Sequence, residues 1–372
     1  MKIFTNAFLI ILLIFSLSCK QQQEKDTGFD FSGMEQFFVI ASILEEDREP
    51  SAEKWNRLFE TPGYNVLTDG EFTREFFADR FKIVFMPSKA YELEQALKKE
   101  QDQPFHLQHV HHYVQARENK EELKDYMNEL KANAAEILDN SAEKAKRYLP
   151  PIDDQGYIPV SFLIFANDAR GYTPVVIDML FAVELGDLLH VLIGHELHHY
   201  YRSKVLVYDR DVVEEEDENL IWVFDQIHCE GMADQIDKRK LISSEDGPLH
   251  FFAGQWEAMV QNAPEYINEM DKLLCEIADY PKRKEEISSQ LRKKLPMSGH
   301  PVGFYMTNVV IENLGKEELV EKAGNPFAFF RLYNNAAGID NRHTTFSKKA
   351  IKVIEELENK YVKADFKKAV ED

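Results

Sequence analysis

Apolar residues recur at helical spacing through most of this chain. Phe37, Phe38, Ile40, Ile43 and Leu44 set the period early, and a longer amphipathic run extends from Lys120 to Leu149 before Pro150-Pro151 breaks it. Thr61-Pro62-Gly63-Tyr64 carries turn chemistry, and Phe81 to Met86 suits either a short strand or part of a helix. Over 156–183 the pattern changes. Ile158 to Phe165 and Val175 to Phe181 are β-branched and aromatic, with Asn167-Asp168-Ala169-Arg170-Gly171 between them as a turn, which predicts two antiparallel neighbouring strands. Helical periodicity returns from Glu184 to Val205, with Leu185, Leu188, Leu189, Leu192 and Ile193 on the apolar face, and again in a stretch beginning near Leu220. Gly324-Asn325-Pro326 divides two later helices, and Phe346 to Phe366 reads as an amphipathic C-terminal helix with Ile351, Val353, Ile354 and Leu357 inward. These patterns predict a predominantly helical α+β protein in which a small β-sheet precedes the helix of 184–205.

Composition narrows the possibilities. The 372 residues are 44% hydrophobic, and 26 Phe, 15 Tyr and 3 Trp supply enough bulk for a core of one large domain or two modest ones. Lys and Arg number 44 against 65 Asp and Glu, and a net charge of −21 argues against binding nucleic acid or anionic lipid surfaces. Cys19, Cys229 and Cys275 are the 3 cysteines, too few for a disulfide framework. Residues 1–18 place Lys2 before the apolar run Ala7 to Phe15, then Ser16-Leu17-Ser18 before Cys19. This is an export signal, too short to span a bilayer comfortably, which takes roughly 20 apolar residues. It resembles a bacterial lipoprotein signal. That likeness implies lipidation of Cys19, a membrane contact made only through the N-terminal lipid, and an exported chain facing the periplasm or the cell surface. Residues 19–29 are polar and read as a flexible tether. The expected division is a signal at 1–18, the tether at 19–29, a helical N-terminal region at 30–150 packed on the core, and a catalytic domain at 151–372.

The chemistry lies in His195-Glu196-Leu197-His198-His199, which matches H-E-x-x-H inside a helical pattern. Positions i and i+4 stand one turn apart on one helix face, so His195 and His199 can offer imidazole nitrogens to a single Zn²⁺ while Glu196 lies beside it as general base. A catalytic zinc takes a third protein ligand and keeps one position open. Glu230, opening Glu230-Gly231-Met232-Ala233-Asp234 in the second helical stretch, is the candidate third ligand, and Gly231 and Ala233 are small enough for helices packed closely around a metal. Asp234, one turn on, is placed to accept a hydrogen bond from the free nitrogen of a ligand histidine. The expectation is one zinc per chain, with Mn, Co or Fe as alternatives.

HELHHYYR followed by EGMAD resembles the gluzincin group of zinc metallopeptidases. It is similar in particular to the zinc-dependent peptidase family of bacterial lipoproteins with HExHH…EGxA signatures, over about residues 156–240 and more weakly to roughly 335. The resemblance implies a zincin-like core, peptide-bond hydrolysis, and zinc ligation by His195, His199 and Glu230 with Glu196 as base. It also implies a strand edge near the active-site helix that takes an extended peptide or protein substrate by β-augmentation. Gluzincins place a His or Tyr from a later helix near the oxyanion, which makes His300 and Tyr305, in the loop-to-helix segment Ser298 to Met306, the candidates for that role. Two other readings remain: a metal-dependent amidase acting on a non-peptide substrate, and an exported lipoprotein of zincin fold that serves as a binding or assembly module.

The other polar groups have blander readings. His198 and His190 suit hydrogen-bonding or packing roles, and His228 and Cys229, turned about 100° per residue from Glu230, are not expected as ligands. The histidines at 106, 109, 111 and 112 read as a solvated surface cluster, and Glu214-Glu215-Glu216-Asp217-Glu218 as a solvated flank complementing a helix dipole.

Overall fold

The computed structural model describes residues 28–103, 107–152, 158–339 and 342–362. The signal, Cys19 and most of the tether lie outside these residues, as does His106. Seven helices come first: α1 (Ser32–Glu45), α2 (Ala52–Phe59), α3 (Pro62–Gly70), α4 (Arg74–Phe85), α5 (Ala90–Glu100), α6 (His109–Glu118) and the long α7 (Lys120–Lys146). Four short strands follow or flank them: β1 (Phe29–Asp30), β2 (Val160–Leu163), β3 (Ala169–Arg170) and β4 (Val175–Asp178). Then come α8 (Met179–Leu185), α9 (Leu189–Ser203) and α10 (Glu215–Lys238). The chain closes with α11 (Ala253–Gln261), α12 (Ala263–Asp279), α13 (Lys284–Lys294), α14 (His300–Leu314), α15 (Lys316–Glu321), α16 (Pro326–Ala337) and α17 (Lys348–Tyr361). The fold is predominantly helical α+β, as the periodicity predicts.

The sheet differs from expectation in its order, β1-β2-β4-β3. The apolar segments β2 and β4 are parallel neighbours, because the presumed turn between them is itself a strand. β3 sits beyond β4 at the sheet edge and pairs with it antiparallel, so the chain reverses twice and β4 enters between its predecessors. All residues of β2 and β4 are buried, the composition expected of strands covered on both faces. A methyl at Gly33 of α1 or Gly63 of α3 would meet Leu163, which measures how closely these helices lie on β2. Tyr64 and Tyr113 both donate to the Ile164 carbonyl, at 2.8 and 3.0 Å, joining the front helices to the end of that strand.

Several local expectations shift. Phe81 to Phe85 is helical, within α4. The pattern from Glu184 to Val205 is broken at Gly186, whose φ of 49° ends α8 before α9 begins. The acidic run lies within or against α10 rather than ahead of it, and Asp217 is fully buried, held by Lys284, Lys360 and the Tyr361 hydroxyl. The described histidines of the 106–112 cluster are not a solvated face. His112 is buried with Nε2 2.8 Å from Asp178, the N-cap of α8, and His109 packs edge-on against Phe76. No helix among the described residues is long and apolar enough to cross a membrane.

Candidate metal centre

Two packed helices carry the centre. In α9, His195, Glu196 and His198 are buried, and α10 contributes Glu230, Asp234 and Asp237 on one face at i, i+4 and i+7. α14 crosses α10 closely enough that a Cβ at Gly231 would lie 2.4 Å from the Gly303 carbonyl oxygen, and one at Gly303 2.0 Å from that of Ile227. Both positions therefore have to be glycine for His300, at the start of α14, to reach the Glu230 face.

Glu230 Oε2 is the hub. It is buried without a hydrogen-bond partner, and it stands 3.5 Å from His195 Nε2 and 3.4 Å from His199 Nε2. A tetrahedral zinc bound at about 2.0–2.1 Å separates its nitrogen and oxygen ligands by about 3.3–3.4 Å. Both separations from Glu230 match edges of such a cage, and the residues fit a zinc ion, although the set of ligating atoms that all lie within 4.8 Å of one another, from His195, Glu230, Asp234 and His300, contains His300 and Asp234 in place of His199.

The electrostatics point the same way. Burial disfavours an imidazolium at His195, yet Asp237 outweighs it and holds the group well above its ordinary range. At His199 burial is likewise overcome, by Cys229 and Glu230, and the value rises to about 9. Burial would raise the Glu230 carboxyl, but His300, His199 and His195 keep it well below the usual carboxylate range. Without a cation this cluster recruits protons, and a divalent ion supplies the same positive charge. Glu196 behaves in the opposite way: burial raises its carboxyl above the ordinary range.

The predicted supporting residue is displaced by one turn. His195 Nδ1 donates to Asp237 Oδ1 at 3.1 Å, whereas Asp234 is 3.8 Å away and instead accepts from His300 Nδ1 at 2.9 Å. Lys238 lies 3.1 Å from Asp234 and 2.8 Å from Asp237, binding both carboxylates. A position seven residues past Glu230 returns to within about 20° of it round the helix, and that spacing was the signal for Asp237. Tyr305 lies about 200° round α14 from Gly303, and its hydroxyl is 2.9 Å from His343 Nδ1.

The rest of HELHHYYR braces α9. His198 Nδ1 donates to the Ala145 carbonyl of α7, and Arg202 pairs at 2.8 Å with Asp225 and donates to His228 Nδ1 at 3.0 Å, both on α10. Burial keeps His198 neutral, lowered to about 3. A Cβ at Gly194 would lie 3.1 Å from the Lys144 Cβ, so α7 backs the motif helix directly.

At the rim, β3 and the residue after it pass over Glu196. A Cβ at Gly171 would sit 2.9 Å from Glu196 Oε2 and 3.1 Å from His199 Cδ2. Arg170 beside it is gripped by both carboxylate oxygens of Glu71, at 2.8 and 2.7 Å, and by Asp168, so the N-terminal helical region anchors the edge strand.

Comparison with known proteins adds one match. The model of a family described as "Putative zinc dependent peptidase (DUF5700)" covers residues 55–342. The chain belongs to this family. The match takes in α3 to α16 together with the whole metal centre, and so includes much of the front region for which the motifs alone imply no relationship. Searches of curated proteins and of solved structures find no match.

Proposed function

We propose that this member of the family is a zinc-dependent hydrolase of peptide bonds, acting on an extended peptide or protein segment. The observation that carries the reading is the buried, partnerless Glu230 Oε2 with the Nε2 atoms of His195 and His199 at 3.5 and 3.4 Å, beside the buried Glu196. His195, His199 and Glu230 would hold the metal. When bound, zinc supplies a Lewis acid that polarises a carbonyl and makes water a usable nucleophile near neutral pH.

The chain's own groups do the rest. Glu196, with its carboxyl raised by burial, takes the proton from the attacking water and returns it to the leaving amine. His300, fixed through Nδ1 by Asp234, donates from Nε2 to the developing oxyanion as the imidazolium, the form that, over the opposing effect of burial, Asp234 and Glu230 favour. The outer edge of β3, running into Gly171 above Glu196, offers unpaired backbone groups to an extended substrate, which places a peptide bond over the base by strand addition. Export through residues 1–18 and lipidation at Cys19 would put this activity on the outer side of a bacterial membrane.

Elemental analysis of the purified full chain tests the centre first. We expect about one zinc per chain, lost in Glu230→Ala and kept in Glu196→Gln. In a peptide-library screen Glu196→Gln should cut turnover by about 10²- to 10⁴-fold. A folded wild-type chain that takes up no zinc when it is supplied refutes the reading.

A further inference from the structure

The two zinc-facing histidines are held by different chemistry. His195 Nδ1 meets the Asp237 carboxylate, which Lys238 holds in turn. His199 Nδ1 meets the sulfur of Cys229, at 2.9 Å. Because His199 Nε2 faces Glu230, Nδ1 is the nitrogen left to carry a proton when the ring binds a metal, and Cys229 Sγ is the partner it finds. Cys229 is buried on α10, one residue before Glu230 and about 100° round the helix from it, which turns its side chain toward α9.

We infer that Cys229 is a positioning residue for the metal centre, whose thiol fixes the tautomer and ring orientation of His199. This rests on the zinc reading above and deepens it. The choice of sulfur has an electrostatic reason. Glu196, Glu230, Asp234 and Asp237 already place four buried carboxylates around the centre with a single lysine. A fifth carboxylate behind His199 would add another buried, desolvated negative charge. A thiol orients the ring without that charge and is small enough for the contact between α9 and α10. The other described cysteine, Cys275, lies 3.2 Å from the Ser347 hydroxyl and has no such partner, so it serves as an internal control.

The test is equilibrium competition of the full chain with a chelator for zinc, using wild type, Cys229→Ala, Cys229→Ser and Cys275→Ser. Cys229→Ala should weaken zinc binding on the order of tenfold to a hundredfold, the usual consequence of losing such a partner. Cys229→Ser should recover most of that loss, because a hydroxyl at the same position accepts the same hydrogen bond, and Cys275→Ser should match wild type. Equal zinc affinity in wild type and Cys229→Ala overturns the inference while leaving the zinc site intact. A Cys229→Ser variant as weak as Cys229→Ala overturns it too, assigning the loss to packing. A wild type without zinc affinity would instead show that the underlying zinc reading had failed, and a Cys229→Ala chain that does not fold leaves the Cys229→Ser comparison to decide.

Discussion

The front helices and the α9–α10 pair solve the same packing problem with different materials. α1 to α4 close around rings: Phe37, Phe59, Tyr64, Phe77 and Phe81 are buried against one another, with Phe77 and Tyr64 edge to face at 5.1 Å. Among the described residues through α5 the one buried carboxylate is Glu100, which caps α6 by accepting from the backbone of Val110 and His111. Between α9 and α10 the buried set includes Arg202, Asp217, Asp225, Glu230, Asp234 and Asp237 besides three histidines. Burying charges costs several kcal/mol each unless every one is paired, so a helix pair built this way is a poor route to stability and a good one to a fixed charge arrangement. The first region holds the shape, and the second holds the site within it.

Paired substitutions break this contrast most directly. Asp225→Ala leaves the Arg202 guanidinium buried beside His228 without its carboxylate, and should cost about 3–5 kcal/mol in urea unfolding together with weaker zinc binding, because α9 and α10 lose their tie. Phe77→Ala should cost a similar 3–5 kcal/mol through a cavity, yet leave zinc affinity unchanged. Should both variants lose zinc in proportion to stability, the two regions would not be separable as described. Burial would raise Asp225, but Arg202 and Arg210 hold it below its ordinary value. Its contribution to stability is therefore complete above about pH 5 and disappears as pH falls through the lowered value, a loss Asp225→Ala should not show.

A gentler probe is pH itself. His199, raised to about 9, and His195, held well above its ordinary range, must each release a proton to bind a metal. Apparent zinc affinity should climb between pH 6 and 9, by up to about tenfold per unit for each imidazole, as read by chelator competition. The smallest effect is expected at the joint between the regions. Glu71→Gln weakens the grip on Arg170 at a partly exposed pair, so stability should change by no more than about 1 kcal/mol, with zinc content intact and KM for peptide raised as the edge strand loosens.

Much of this was legible in the residues. His195, His199 and Glu230 converge as the helical spacing implies, and Gly231 is small because α14 crosses there. Helical periodicity found α1, α7 and α10, although α10 begins before Leu220 and takes in most of the acidic run. The sheet order was missed because β3 looks like a turn: two residues between Asp168 and Gly171 carry no alternation to mark them as a strand. The histidines at 109 and 112 were misjudged because their polarity suggested water, while the partners that bury them, Phe76 and Asp178, come from other elements.

Local pattern therefore determined which segments are helices, which face of each is apolar and which side chains share a turn, because these depend on backbone period and on neighbours a few residues away. The tertiary structure decided who meets whom across helices: Asp237 rather than Asp234 behind His195, sulfur behind His199, His300 against Asp234, and β3 beside Glu196. Such contacts depend on where two helices cross and how closely. Here that is set by glycines at 194, 231 and 303, whose contacts lie on other helices of the chain.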